Sequence, residues 1–130
     1  AKVQEHLARA EELTAGCDRL TLILALNYSS RDEIARAVRT LAGQVRKGEL
    51  APEQIDEQRI AATLDTASYP DPDLVVRTSG ECRLSNFLLW QASYAELYFP
   101  PVLWPDFTEE EFDRAIEEYA RRDRRFGLVK

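Results

Sequence analysis

Asp71-Pro72-Asp73-Leu74-Val75-Val76-Arg77-Thr78-Ser79-Gly80-Glu81-Cys82-Arg83-Leu84-Ser85-Asn86-Phe87-Leu88-Leu89-Trp90-Gln91 is the most informative stretch of this chain. Its short apolar run, Leu74 to Val76, reads as a buried strand. The run ends in Arg77, and a turn with Ser79 and Gly80 follows. Arg83 comes next, and then Ser85, which is predicted to cap a helix carrying Phe87, Leu88, Leu89 and Trp90. That helix is apolar nearly all round, which predicts burial. A guanidinium offers a planar fork of donors that matches phosphate oxygens. A helix N-terminus adds free N–H groups and a partial positive charge. Strand, arginine, turn, arginine, hydroxyl and helix start, in that order, suit a diphosphate.

Other elements flank this stretch on both sides. Val3, Leu7, Ala10 and Leu13 recur at helical spacing, and Gly16 stops that helix. Residues 20–26 (Leu-Thr-Leu-Ile-Leu-Ala-Leu) form a nearly continuous apolar run, predicted to be a strand buried on both faces. Asn27, Tyr28 and Ser29 leave its C-terminal end. Ser30 and Glu33 have capping-box spacing. Ile34, Val38, Leu41 and Val45 then predict a core-facing helix stripe running to about Gly48. Pro52 opens a third predicted helix, with Ile55, Ile60 and Leu64 facing in. Residues 97–99 read as a further strand, ended by Pro100 and Pro101. Trp104-Pro105-Asp106-Phe107 make a corner. Thr108 and Glu111 suggest a second capping box, and Phe112, Ile116 and Tyr119 the core face of the last helix. Glu109, Glu110 and Glu111 lead into that helix and Arg121, Arg122, Arg124 and Arg125 lead out, following its dipole.

Helices and strands alternate, so the predicted class is α/β, a mainly parallel open sheet flanked by helices. Three strands are visible in 130 residues, against roughly five or six in an ordinary sheet. The sheet is therefore predicted to be partial. In open α/β sheets, ligands bind beyond the carboxyl ends of strands, where residues 27–29 and 77–80 fall.

The chain has a net charge of −6 and 45% hydrophobic residues. One core can be built from it, and the acidic balance argues against nucleic acid, whose phosphates need a basic face. No apolar run nears the roughly 18 residues of a membrane span. Cys17 and Cys82 match no zinc or redox spacing and read as reduced thiols of a cytoplasmic protein. The lone His6 lies on a polar helix face. No methionine occurs, so Ala1 follows either a removed initiator or further chain.

Several motifs together bring in a family. Residues 77–91, Tyr94-Ala95-Glu96-Leu97-Tyr98-Phe99, residues 104–107, Ala25-Leu26-Asn27-Tyr28-Ser29-Ser30-Arg31 and Arg124-Arg125-Phe126-Gly127 occur in the order of the cis-prenyltransferases. The chain resembles that family over essentially its whole length, nearest to the bacterial branch that makes undecaprenyl diphosphate. The resemblance implies that residues 1–130 are the C-terminal half of a single catalytic domain. It implies condensation of isopentenyl diphosphate with an allylic diphosphate, usually farnesyl diphosphate, each new double bond being cis. On the same resemblance, Arg77, Arg83 and Ser85 hold the diphosphate of isopentenyl diphosphate, and Glu96 helps bind Mg²⁺. Arg125 and Gly127 match the family's terminal Arg-x-Gly, which serves the same site across a homodimer interface. The long lipid product implies peripheral contact with a membrane.

Two positions depart from the family. Cys82 stands where members often carry His or Gln, so a good Mg²⁺ ligand is missing there. The Asp-Gly-Asn-x-Arg-Trp segment, with the aspartate that binds magnesium and the allylic diphosphate, does not occur in these 130 residues. The catalytic aspartate has no counterpart here.

The residues carry plainer readings as well. Arg77 could cap its strand with a surface ion pair, and Ser85 could be an ordinary N-cap. Glu81 reads as a structural partner of an arginine. Trp90, Trp104 and Phe107 read as core, and the arginines near the C-terminus as a solvated helix end. Two other functions stay open: a non-catalytic subunit of the same fold, which would be expected to lose its diphosphate residues, and an anion-binding module.

Overall fold

The computed structural model describes residues 2–122. Among the described residues there are four α-helices: α1 Lys2–Thr14, α2 Ser30–Arg46, α3 Glu57–Ala61 and α4 Glu109–Ala120. Two strands, β1 Leu74–Val76 and β2 Glu96–Tyr98, pair in parallel with Leu74 opposite Glu96 and Val76 opposite Tyr98. The class is α/β with a parallel sheet and flanking helices, as the sequence predicts. A parallel pair needs a long crossover, and residues 77–95 supply it. Backbone bonds extend the pair beyond its C-terminal end. Arg77 N donates to Tyr98 O at 2.9 Å, Gly80 N to Pro100 O at 2.8 Å and Ser79 N to Val102 O at 2.7 Å. Gly80 takes φ +65°, the left-handed region that favours glycine, while the space beside Pro101 would admit a Cβ in ordinary contact.

The core is small. Ala37, Leu41, Leu50, Leu64, Ala92 and Ala115 are buried, together with the polar Ser30, Glu33 and Gln91. On α2 the buried stripe is Ser30, Glu33, Ala37 and Leu41, while Val38 is 54% exposed. The predicted stripe of Ile34, Val38, Leu41 and Val45 is thus rotated, because two polar side chains take part in the core. Nor do Ser30 and Glu33 form a capping box. Ser29 is the N-cap, and Glu33 turns inward to other partners.

Several further expectations are corrected. Residues 20–26 form no strand; Leu20, Leu22 and Leu24 are 83%, 77% and 56% exposed. A strand is held by a neighbour's backbone groups, and among the described residues no neighbour lies alongside. The helix expected from Pro52 divides in two. Pro52–Gln54 is one 3₁₀ turn, and α3 starts afresh where the Asp56 carboxylate accepts from Arg59 N at 2.7 Å.

The helix expected from Ser85 does not form either. Ser85, Asn86 and Leu88 have φ of +49°, +66° and +46°, left-handed values that a right-handed helix excludes. The first regular turn after them is the 3₁₀ segment Gln91–Tyr94, and Phe87 and Leu89 remain partly exposed.

In α4 the Thr108 side chain makes no cap bond, and Glu111 pairs with Arg114, so that capping box is lacking too. Phe112 and Ile116 are largely exposed and Ala115 is the buried residue. Trp104 is 73% exposed rather than core. It stacks on Phe107, ring centroids 5.9 Å apart and planes 10° from parallel. Cys17 and Cys82 are free and exposed. Among the described residues no helix is long and apolar enough to cross a membrane.

Candidate functional site

The end of β1 delivers Arg77 to the mouth of the crossover. Its guanidinium Nη1 donates to Ser85 Oγ and to the carbonyl of Arg83, each at 2.7 Å. Arg77 and Ser85 are thus joined directly, and Arg83 is joined through its backbone. The Arg83 guanidinium is mostly exposed and pairs with Glu81, whose Oε2 also lies 3.9 Å from Arg77 Nη2. Glu81 is the structural partner that the sequence suggests, one carboxylate between two arginines. The cluster keeps an excess of positive charge beside a hydroxyl and the exposed turn at Gly80.

Glu96 is not brought to this cluster. It starts β2, opposite Leu74, so about three strand residues, roughly 10 Å, separate its level from that of Arg77. Its carboxylate accepts from Arg122 Nη1 at 2.7 Å, and the same nitrogen donates to Leu97 O at 2.9 Å. Arg125 and Gly127 lie outside the described residues. Cys82 Sγ donates to Gly80 O at 3.5 Å. Among the described residues no three His, Cys, Asp or Glu side chains converge to hold a metal. The carboxylate that the resemblance assigns to Mg²⁺ is Glu96, partly buried and paired with Arg122. That fits an ion which is bound through one or two carboxylates, substrate phosphates and retained waters.

Behind the arginine cluster lies a network of polar groups that sequence reasoning missed. Glu33 is 1% exposed. It accepts from Tyr28 Oη at 2.5 Å, from Asp65 N at 2.8 Å and from Gln91 Nε2 at 3.2 Å. Gln91 Nε2 also donates to Thr66 Oγ1 at 2.9 Å. Burial and the Glu33 carboxylate beside it push the Tyr28 phenol above its ordinary pKa. At the surface next to this network, Arg36 makes two bonds to Asp65, at 2.9 and 2.6 Å, and holds that carboxyl below its ordinary value. The available signal was a polar residue in helical phase with Ala37 and Leu41.

A cavity of about 450 Å³ opens beside the network. Leu24, Leu26, Pro70, Pro72, Phe87 and Leu88 make much of its wall, with Tyr28 and Gln91 among the polar groups and the Asp32–Arg36–Asp65 ion pairs on one side. Apolar walls with a few convergent polar groups are the usual make-up of a small-molecule site.

Comparison with known proteins identifies the family. Residues 1–127 match the model of the undecaprenyl diphosphate synthase family. The isoprenyl transferase of Rhizobium meliloti is 60% identical over 121 residues, 93% of this chain and 49% of that protein. The ditrans,polycis-undecaprenyl-diphosphate synthase ((2E,6E)-farnesyl-diphosphate specific) of Salmonella paratyphi A is 50% identical over 98% of this chain and 50% of its own length. Among solved structures, lavandulyl diphosphate synthase from Lavandula x intermedia, in complex with dimethylallyl diphosphate, superposes with a TM-score of 0.88. It is 40% identical, over 96% of this chain and 54% of that one. The chain spans about half the length of the curated relatives it matches. With the fold, the order of its motifs and the family model all in agreement, this chain belongs to the undecaprenyl diphosphate synthase family of prenyltransferases.

Proposed function

We propose that the protein bearing this chain is a cis-prenyltransferase. It condenses isopentenyl diphosphate with an allylic diphosphate, farnesyl diphosphate, to make a polyprenyl diphosphate, undecaprenyl diphosphate in the first instance. The observation that carries the reading is the direct bond from Arg77 to Ser85, with Arg83 beside them at the carboxyl end of β1. On this reading the chain is the C-terminal half of one catalytic domain and supplies the isopentenyl diphosphate site. The exposed apolar run at residues 20–26 supports that, as an apolar segment with no neighbour alongside it among the described residues.

Arg77 and Arg83 take the diphosphate oxygens, and Ser85 donates its hydroxyl. Glu81 orients the two guanidinium groups and gives way as the anion enters. The apolar cavity suits a hydrocarbon tail. Positive charge grows on the allylic carbon as its diphosphate leaves, so fixing the attacking alkene and excluding water matter more than acid–base transfer. Glu96 gives an oxygen ligand to Mg²⁺, which when bound neutralises diphosphate charge. Arg122 competes for that carboxylate. Arg125 and Gly127 complete the site across a homodimer interface to which residues 87–90 and 97–99 contribute. The protein works in the cytoplasm, touching the membrane through its product.

The test is incubation of the full-length protein with farnesyl diphosphate, labelled isopentenyl diphosphate and Mg²⁺. A long cis-polyprenyl diphosphate supports the reading. Binding of sulfate and isopentenyl diphosphate with equal affinity, and no incorporation, overturns it. Monomers alone in equilibrium sedimentation overturn the dimer.

A further inference from the structure

Asn86 ties the crossover loop to the start of α2. Ser30 N donates to the Asn86 carbonyl at 3.0 Å, and Arg31 N to Asn86 Oδ1 at 2.9 Å. Asn86 Nδ2 donates to Ser29 Oγ at 2.8 Å. A backbone N–H can only donate, so the Arg31 contact fixes which end of the amide is oxygen. The first N–H groups of a helix have no partner inside it. Ser29, the N-cap, offers them no side-chain bond. Asn86 therefore caps α2 from 55 residues away.

The clamp acts in the other direction as well. Ser30 Oγ, fully buried, accepts from Leu89 N at 3.0 Å. The loop is thus pinned at residues 86 and 89, on either side of Leu88. Around the clamp, Ser85, Asn86 and Leu88 are left-handed. Such backbone persists only where its surroundings hold it. Asn tolerates the left-handed region better than most residues. Ser85, whose hydroxyl lies 2.7 Å from Arg77 Nη1, is the residue immediately before the clamp.

We propose that Asn86 is a positioning residue for the diphosphate subsite: by capping α2 across the fold it fixes the left-handed turn that presents Ser85 to Arg77. The inference rests on the reading of Arg77, Arg83 and Ser85 as the isopentenyl diphosphate site. It adds a requirement that this reading does not contain, an intact junction between α2 and the loop.

The test uses three variants of the full-length protein. Asn86→Gly keeps the left-handed turn accessible and removes the amide. Asn86→Asp keeps an acceptor for Arg31 N–H and loses the donor to Ser29. Ala37→Gly weakens α2 without touching the loop. Thermal midpoint, calorimetric affinity for isopentenyl diphosphate, KM and kcat are read for each. Asn86→Gly is expected to weaken isopentenyl diphosphate about 10- to 100-fold, the usual scale for losing a residue that orients a ligand-binding group. Asn86→Asp falls between it and wild type. Ala37→Gly lowers the midpoint and leaves affinity unchanged. Wild-type affinity in Asn86→Gly overturns the proposal, as does equal weakening by Asn86→Gly and Ala37→Gly. Wild-type protein that does not bind isopentenyl diphosphate overturns the underlying reading too, so the wild-type titration alone separates the two failures.

Discussion

Arg77 donates to Ser85 Oγ at 2.7 Å, with the same nitrogen reaching the Arg83 carbonyl at 2.7 Å. One guanidinium thereby gathers a strand end and a loop eight residues apart in sequence. Its Nη2 faces Glu81 Oε2 at 3.9 Å, the carboxylate that an entering anion would have to displace. This is the relationship from which the site is built.

Ser85→Ala removes one of the two anchors of Arg77 and leaves the Arg83 carbonyl in place. The expected loss is about 0.5–1.5 kcal/mol, the net worth of an ordinary hydrogen bond, or roughly a two- to tenfold rise in KM for isopentenyl diphosphate. Steady-state kinetics at saturating allylic diphosphate checks this. A variant with no change in KM contradicts the role of the hydroxyl.

Glu33→Ala strips the acceptor from Tyr28, from Asp65 N–H and from the buried Gln91 amide. Gln91 keeps its bond to Thr66, while Tyr28 and Asp65 N–H, both part-buried, lose their acceptor; at about 1–3 kcal/mol for an unsatisfied buried donor, a loss of about 1–3 kcal/mol is expected in urea unfolding. Val38→Ala, on the exposed flank of the same helix, is the contrast and should change stability little.

The pH dependence has two limbs with opposite signs. Asp65 has a depressed carboxyl pKa, set chiefly by its bonds to Arg36. Its contribution is present above the ordinary value of 3.8 and is lost as pH falls through the lowered folded value. Both side chains are about half exposed, so solvent screening keeps this contribution small. Tyr28 has a raised pKa, so its contribution holds below the ordinary 10.0 and disappears as pH rises through the folded value. Asp65→Asn should flatten the acid limb of stability against pH, and Tyr28→Phe the alkaline limb. Limbs identical to wild type would contradict these assignments.

Glu96→Gln should raise the magnesium concentration needed for half-maximal activity by tenfold or more, since an amide is a poorer ligand for a hard cation. Arg122→Ala frees the same carboxylate from its ion pair and should lower that concentration. An unchanged magnesium curve in Glu96→Gln contradicts the metal role.

How far the fold could be read from the sequence varies along the chain. β1 and β2 were legible because short apolar runs between turn residues have few other fates. The end of α2 was legible at Gly48, which takes φ +74°. The stripe of α2 was not, because hydrophobic periodicity cannot register a buried Glu33 whose partners, Asp65 and Gln91, are remote in sequence. Apolarity at residues 20–26 gave the capacity for a strand but not the neighbour that makes one. The run Phe87 to Trp90 suggested a helix, yet clamping at Asn86 and Leu89 bends the loop into left-handed turns. That Arg77, Arg83 and Ser85 come together at the end of β1 could be read from their spacing. Glu81 could be named as their counter-ion. The Arg122 partner of Glu96 could not, since it lies just past the C-terminal end of α4, 26 residues along the chain.

The most direct measurement is the KM for isopentenyl diphosphate of full-length Arg83→Ala beside wild type, at saturating farnesyl diphosphate and Mg²⁺. The account predicts a rise of about ten- to a hundredfold, the ~1.5–3 kcal/mol of a charged hydrogen bond, or loss of turnover altogether. Wild-type kinetics in that variant would contradict it and return Arg83 to a surface ion pair with Glu81.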